Sequence, residues 1–484
     1  MNVASERPPG TCVRRRASAW PRRALVARAL LAIATPSVVL WAAVLATPST
    51  ARGDTLYWNT TSGTWSTLGS WSTAFSGGLA PSGTATVPGA NDTAIFNTSG
   101  VNATTPLLSG NTSVGGISVL STVTASGGVA IRGTGADRTL TIGAGGITSL
   151  STANAFSLGS VTAGQKVNVE LAASQAWTAL QMPTNTNFSV QNGVQRVAGA
   201  TNMTLLAETT SKFNLNGTVA DGSGGGKLSL WRRGSGEATL AVANTYSGAT
   251  TVQGWLTISN ASAIGTSALN LAGGQLNVAA ATSFTAPSTV SMLGGVTFLT
   301  VGNGTTSVMN LGTISRPVGG GMLNRSFAAT GGTTAAITIG NSLTNGIIGP
   351  WAIGGLASSS QTWLTTNSGT IAPATLTAVT DANSLTSATL LASSTVSATL
   401  TADRSAYVWS NSVQGTAVEL ANFNLSAGIA SGTGHLTIAP YGGGNTTLSG
   451  SNAHSGGTSL HKNALNINNA NALGTGTFTI AAGS

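Results

Sequence analysis

The sequence predicts an all-β fold, a β-solenoid of the parallel β-helix kind preceded by a helical signal segment, and three observations carry that prediction. Charged residues make up only 6% of the chain, so its solvated surface has to be built from Ser, Thr, Asn and Gly. Short runs alternate apolar and polar residues with period two and are parted by glycine, the pattern of half-buried strands. The stretch 228–280 recurs at 436–484, and a recurrence of that length selects a stacked architecture over a sandwich or a barrel.

Residues 1–51 read as a secretory signal. Arg7, Arg14, Arg15, Arg16, Arg22, Arg23 and Arg28 precede or open an apolar run from Leu30 to Ala46, and Ser49-Thr50-Ala51 supplies a small-residue cleavage site. An uncleaved membrane anchor is the rival, because the run is close to spanning length; Pro36 and the early small-residue exit favour cleavage. The leader holds seven of the 20 basic residues and one of the 11 acids, Glu6, which leaves 13 against 10 and a net charge of +3 for the remainder. Basicity therefore belongs to the leader, and nucleic acid is excluded as a partner. Cys12, the one cysteine, also lies there, so the exported part has no disulfide and no Cys-ligated metal.

Residues 52–110 are expected to form an amino-terminal Trp-rich cap and the first coils. Trp58, Trp65 and Trp71 are assigned to the cap, which shields the end of the stack from strand-to-strand association; a sugar-stacking platform is the alternative. Residues 111–484 are expected to be the solenoid body. Leu140-Thr141-Ile142, Leu228-Ser229-Leu230 and Leu256-Thr257-Ile258 are typical of its strands. In such a body equivalent residues stack about 4.8 Å apart. Like charges would then repel by about 0.9 kcal/mol per stacked pair even in water. Hydroxyl and amide side chains stack without that cost, and glycine serves the corners. About 20 residues per coil would make a rod of about twenty coils, suited to spacing or display.

The recurrence is detailed. Asn244-Thr245-Tyr246-Ser247-Gly248 aligns with Asn452-Ala453-His454-Ser455-Gly456, Leu256-Thr257-Ile258 with Leu465-Asn466-Ile467, and Ala263-Ile264-Gly265-Thr266 with Ala472-Leu473-Gly474-Thr475. With Leu271-Ala272-Gly273-Gly274-Gln275-Leu276, this pattern resembles the autotransporter-associated β-strand repeat. Tyr57-Trp58 and Pro88-Gly89-Ala90-Asn91-Asp92-Thr93-Ala94-Ile95-Phe96 resemble the amino-terminal region of large proteins of that kind. The resemblance implies a right-handed parallel β-helix carried to the surface of a Gram-negative type bacterium, often ahead of an outer-membrane barrel. The sequence stops within the second repeat with no barrel strands, so the expectation is a fragment of a longer passenger or a released protein. Contact with a membrane is expected only through the export signal or such a missing barrel.

Chemistry finds little purchase. His435, His454 and His461 crowd the last fifty residues, and His454 replaces Tyr246 of the other copy; solvent-facing variation is expected, not a catalytic base or a zinc site. Asp381, Asp403 and Glu419, near Arg404, are the acids that could converge in a glycan-cleaving enzyme. Gly133-Thr134-Gly135-Ala136-Asp137 is like a single calcium-binding nonapeptide and is read as a turn. Trp231-Arg232-Arg233 is read as a loop that packs its indole on the wall and keeps both arginines in water, with an acidic-glycan contact as the alternative. No catalytic residue, cofactor or metal is expected. The possible ligand contacts are Trp58, Trp65, Trp71, Trp231, Arg232 and Arg233, and the partners expected are host or environmental glycans or cell-surface components. The function expected is an adhesin or structural scaffold; the alternatives are a secreted lyase or glycosidase, or a carbohydrate-binding module, on the same fold.

Overall fold

The computed structural model describes residues 53–73, 86–97, 105–120, 128–150, 155–302, 307–374, 446–460 and 464–480, with short gaps inside them, and the backbone of four strands at 390–393, 408–410, 423–425 and 436–438. The signal segment lies outside the described residues. Among the described residues, apart from a single turn of 3-10 helix at Leu68–Ser70, the regular structure is β.

Strands far apart in sequence lie side by side in parallel, the arrangement of a solenoid. One wall holds a run of eleven parallel strands among the described residues, from Thr55–Trp58 to Ile314–Ser315. Successive Cα partners along it are Leu56, Ala94, Ile117, Ile147, Trp177, Ala207, Arg232, Val252, Leu271 and Met292. Every member of this inward column is at most 2% exposed. Period-two alternation is therefore realised along this wall, with an apolar residue on the axis in every coil but that of Arg232, and neighbours such as Ser118, Thr251 and Asn270 on the other face.

A second wall stacks Phe156–Leu158, Asn187–Val190, Lys212–Leu215, Glu237–Leu240, Trp255–Ile258, Gly274–Val278, Val296–Val301, Met322–Phe327 and Ala352–Leu356 in the same sense. Coil length is not constant. Thirty residues separate the partners Ile147 and Trp177, against nineteen between Val252 and Leu271. In that longer part a third set of strands, Val167–Leu171, Val194–Arg196 and Val219–Ala220, takes up extra chain. Arg138–Ser149 turns a corner within one strand: its first half pairs with Val167–Leu171 and its second with Gln175–Ala179. Gly146 makes the bend at φ +60, where a Cβ would stand 2.1 Å from the Ala176 carbonyl oxygen. Only glycine fits there.

Both ends of the run from 53 to 374 are closed by antiparallel chain. At the start, Trp71–Ser72 folds back on Tyr57–Trp58. Trp71 meets Trp58 edge-on at 4.9 Å and Trp65 at 4.8 Å, while Phe96 lies 6.0 to 6.2 Å from all three rings. The Trp71 indole N–H donates to the Trp65 carbonyl at 2.7 Å. At the far end, Gln361–Asn367 runs antiparallel to Ala352–Leu356, and Thr370–Pro373 returns along it. Ser368 and Gly369 both have positive φ, +48 and +80, the primed turn that tight hairpins use. The parallel run within the 111–484 span is thus interrupted by a hairpin. Beyond it, two three-stranded parallel sheets stand at 423–467 and 436–480.

Candidate functional site

Of the two aromatic clusters proposed from the sequence as ligand contacts, the first lies inside and the second is buried except at Arg233. Trp58, Trp65 and Trp71 are 1%, 1% and 0% exposed, so no ring face is open to a sugar. The three indoles pack against one another and against Phe96.

Trp231-Arg232-Arg233 is a strand, not a loop, and only part of the cluster faces outward. Arg232 occupies the inward column between Ala207 and Val252 and is 1% exposed. Its guanidinium donates to the carbonyls of Ala207 at 3.0 Å, Thr209 at 3.2 Å, Trp255 at 3.2 Å and Gly236. Burial pulls its pKa down to about 10, and Glu208 partly offsets that. The expectation of an arginine in water is corrected here: a side chain whose donors meet three carbonyls of the flanking coils and one of its own is worth more inside than out. Arg233 stands 5.8 Å over the Trp231 ring and 3.5 Å from Glu208. Trp231 is 5% exposed. Arg196 repeats the arrangement in the third set of strands, fully buried and donating to the carbonyls of Ala200, Thr201 and Gly226.

His454 is likewise inside, 2% exposed, where solvent-facing variation was expected. Its Nε2 is 2.9 Å from Thr458 Oγ1, as the Tyr246 hydroxyl is 2.7 Å from Thr250 Oγ1. Tyr246 is fully buried, and burial drives its phenol pKa well above the usual range. His435, His461, Asp381, Asp403, Arg404 and Glu419 lie outside the described residues.

The described acids tie coils together. Asp92 accepts from the Gly89 and Asp54 amides, both at 2.8 Å, which gives the Pro88–Asp92 turn its form. Asp137 accepts from the Gly164 amide at 2.9 Å and sits 3.8 Å from Lys166, so the calcium-like segment is a turn bonded to the next coil. Asp221 accepts from the Leu228 amide at 2.6 Å and from the Ser247 amide and hydroxyl at 3.1 and 2.6 Å. Burial raises its pKa, but these bonds and the nearby Arg196 outweigh that and leave it below the usual value. Among the described residues no three His, Asp or Glu side chains come together as a metal site would need. The comparisons add no relative: no family model, no curated protein and no solved structure matches the chain.

The outward face of the second wall was missed by sequence reasoning. Trp255, Gln275 and Phe298 are successive Cα partners, and so are Thr257, Asn277 and Thr300. The signal was in the spacing. Trp255-Leu-Thr257, Gln275-Leu-Asn277 and Phe298-Leu-Thr300 share one pattern of outward, inward and outward residues, about twenty positions apart.

Proposed function

We propose that this chain is the solenoid passenger of an exported bacterial surface protein, a scaffold that displays adhesive surface and carries out no catalysis. In this reading residues 1–51 are a signal peptide, the coils are right-handed as crossovers between parallel strands normally are, and the repeats at 228–280 and 436–484 are of the autotransporter-associated kind. The protein is secreted or held at the cell surface of a Gram-negative type organism, and its partners are glycans or other surface components.

One observation supports the reading most. The polar groups that sequence analysis weighed for chemistry, and that the structure describes, bond within the stack: Arg232 to carbonyls of its own and both flanking coils, Asp137 to the Gly164 amide of the next coil, Arg233 to Glu208, and His454 to Thr458. A stack that consumes its ionisable groups in holding register is built for length and surface. The test is to produce the full chain in a Gram-negative host, separate the fractions and sequence the mature amino terminus. Recovery outside the inner membrane beginning near Arg52, with protease sensitivity on intact cells, is expected; retention in the cytoplasm with Met1 intact refutes the reading.

A further inference from the structure

The outward side of the second wall carries two aromatic rings beside a series of hydrogen-bonded amide and hydroxyl groups, of which Thr257 is buried. Leu256, Leu276 and Leu299 are fully buried, so alternation turns their neighbours Trp255 and Thr257, Gln275 and Asn277, and Phe298 and Thr300 away from the axis. Phe298 is 39% exposed, the one aromatic among the large apolar side chains that the described residues leave exposed. Trp255 is half-buried, and its ring nitrogen is buried without a hydrogen-bond partner among the described residues, so this indole offers a face rather than a donor.

The two rings stand two coils apart in one column, with Gln275 between them. Adjacent strands lie about 4.8 Å apart, which puts the rings about 10 Å from each other along the coil axis. Alternate rings of an extended sugar chain have a comparable separation. Beside this column the polar groups form one hydrogen-bonded series. Gln275 Nε2 donates to Thr300 Oγ1 at 3.1 Å, Thr300 Oγ1 to Asn277 Oδ1 at 2.9 Å, Asn277 Nδ2 to Thr257 Oγ1 at 3.3 Å, and Thr257 Oγ1 to Glu237 Oε1 at 2.6 Å. Each amide is held in one orientation before any ligand arrives, which lowers the entropic cost of binding.

Charge narrows the ligand. Glu237 is the Cα partner of Trp255 and continues the column, placing a carboxylate at the end of the strip. The nearby arginines do not serve it: Arg232 is buried on backbone carbonyls and Arg233 is paired with Glu208 on the other wall. Lys212, exposed and next to Glu237 in the register that pairs Phe213 with Ala238, balances that carboxylate, so the column has no net charge to attract an anionic polysaccharide.

We infer that the strip Trp255, Gln275, Phe298 with Asn277 and Thr300 binds an uncharged, extended glycan lying along the coil axis, stacked on the two aromatic rings. The inference gives the adhesive surface of the proposed function a ligand class, and it is tested on purified protein without cells. Failure of export would leave it standing, and failure of binding would leave the scaffold standing.

The experiment applies the purified full chain to an array of neutral α- and β-linked glucans, mannans, galactans and chitooligosaccharides, with heparin and hyaluronan as anionic probes. Hits are titrated by calorimetry and tryptophan fluorescence. Saturable binding of a neutral glycan is expected, weakened about tenfold by Phe298→Ala or Trp255→Ala and kept by Phe298→Tyr. Leu180→Ala, exposed beyond the first wall, should leave it unchanged. Phe298 is already solvent-facing, so its variant tests the strip without disturbing the core, and circular dichroism with melting checks this. Retention of no neutral glycan, of the anionic probes only, or of neutral glycan equally well by both alanine variants overturns the inference.

Discussion

The two copies of the internal repeat stack their strands in the same parallel order, with the first pairing shifted by two residues between them, and fill the same interior position differently. Leu228–Arg233 pairs with Thr250–Val252 and that with Leu269–Leu271; Leu436–Ile438 pairs with Thr458–Leu460 and that with Phe478–Ile480. In both, an asparagine amide crosses to the next turn, Asn244 to the Ala263 carbonyl and Asn452 to that of Ala472. Glycine then turns at positive φ, Gly265 at +58 and Gly474 at +74. Between these fixed points the chemistry shifts. Tyr246 reaches the Ile264 carbonyl through two hydroxyls, Thr250 and Ser267, at 2.7, 2.9 and 2.7 Å. His454 needs only Thr458, which donates directly to the Leu473 carbonyl at 2.9 Å, because Gly476 stands where Ser267 does. What the repeat preserves is a satisfied line of hydrogen bonds across the interior, and the residue types are free to change together.

Removing what one copy has and the other lacks gives the largest effects. Pro440 aligns with Arg232, so the buried guanidinium belongs to the first copy. Arg232→Ala should cost about 4 kcal/mol, because carbonyls on several turns lose a buried donor at once. Amide hydrogen exchange around Ala207 and Trp255 would show the loss locally, and unchanged protection there would mean that the guanidinium is not what ties these coils. Asn244→Ala should follow at about 2 kcal/mol. Its Oδ1 accepts from the Val219 amide at 2.7 Å, so truncation strands groups on both flanking turns. Loss of protection at Val219 is the readout, and an effect below about 0.5 kcal/mol would make the asparagine incidental.

The repeat alignment made the coil stacking legible before any coordinates, since period-two alternation and recurring glycine are consequences of backbone geometry. Direction of facing was legible for apolar residues and not for polar ones. Arg232 and His454 were read as outward because charged or polar side chains usually are, and sequence does not show which carbonyls wait inside. One sign was available: both sit on the inward parity of their strands or turns, Arg232 two residues after Leu230 and His454 in the place of Tyr246. The closing hairpin was also within reach, since Asn367-Ser368-Gly369 is a turn sequence between two strand-like runs. The outward strip could be assembled only once register was known, because its members are about twenty residues apart and a slip of one residue would turn all of them inward.

The interior swap can be tested by converting one copy into the other. Tyr246→His should cost about 2 kcal/mol through lost packing, and Ser267→Gly about 1 kcal/mol through the broken relay. Made together they recreate the line of His454, Thr458 and Gly476, so the pair should cost about 0.5 to 1 kcal/mol less than the separate losses combined. Denaturant unfolding of the four proteins measures this coupling. Strict additivity would mean that the two positions vary independently and that the hydrogen-bonded line is not the unit preserved.

Acid should separate the copies most gently. Asp221 clamps the first copy through Leu228 and Ser247, whereas residues 420–484 contain no Asp or Glu. Its folded pKa lies below the ordinary 3.8, so its contribution is fully present above that value and is lost as the pH falls through the lower, folded one. Asp221→Asn keeps one acceptor and removes the titration. The wild-type melting temperature should therefore fall more steeply than the variant's between about pH 4 and pH 2, with the two curves converging at the acid end. Parallel curves would show that the carboxylate is not held by its three donors in solution. Because the melt reports the whole chain, the same pH series should be followed at the Ser247 amide, where a wild-type opening that the variant lacks ties the acid response to the first copy's own clamp.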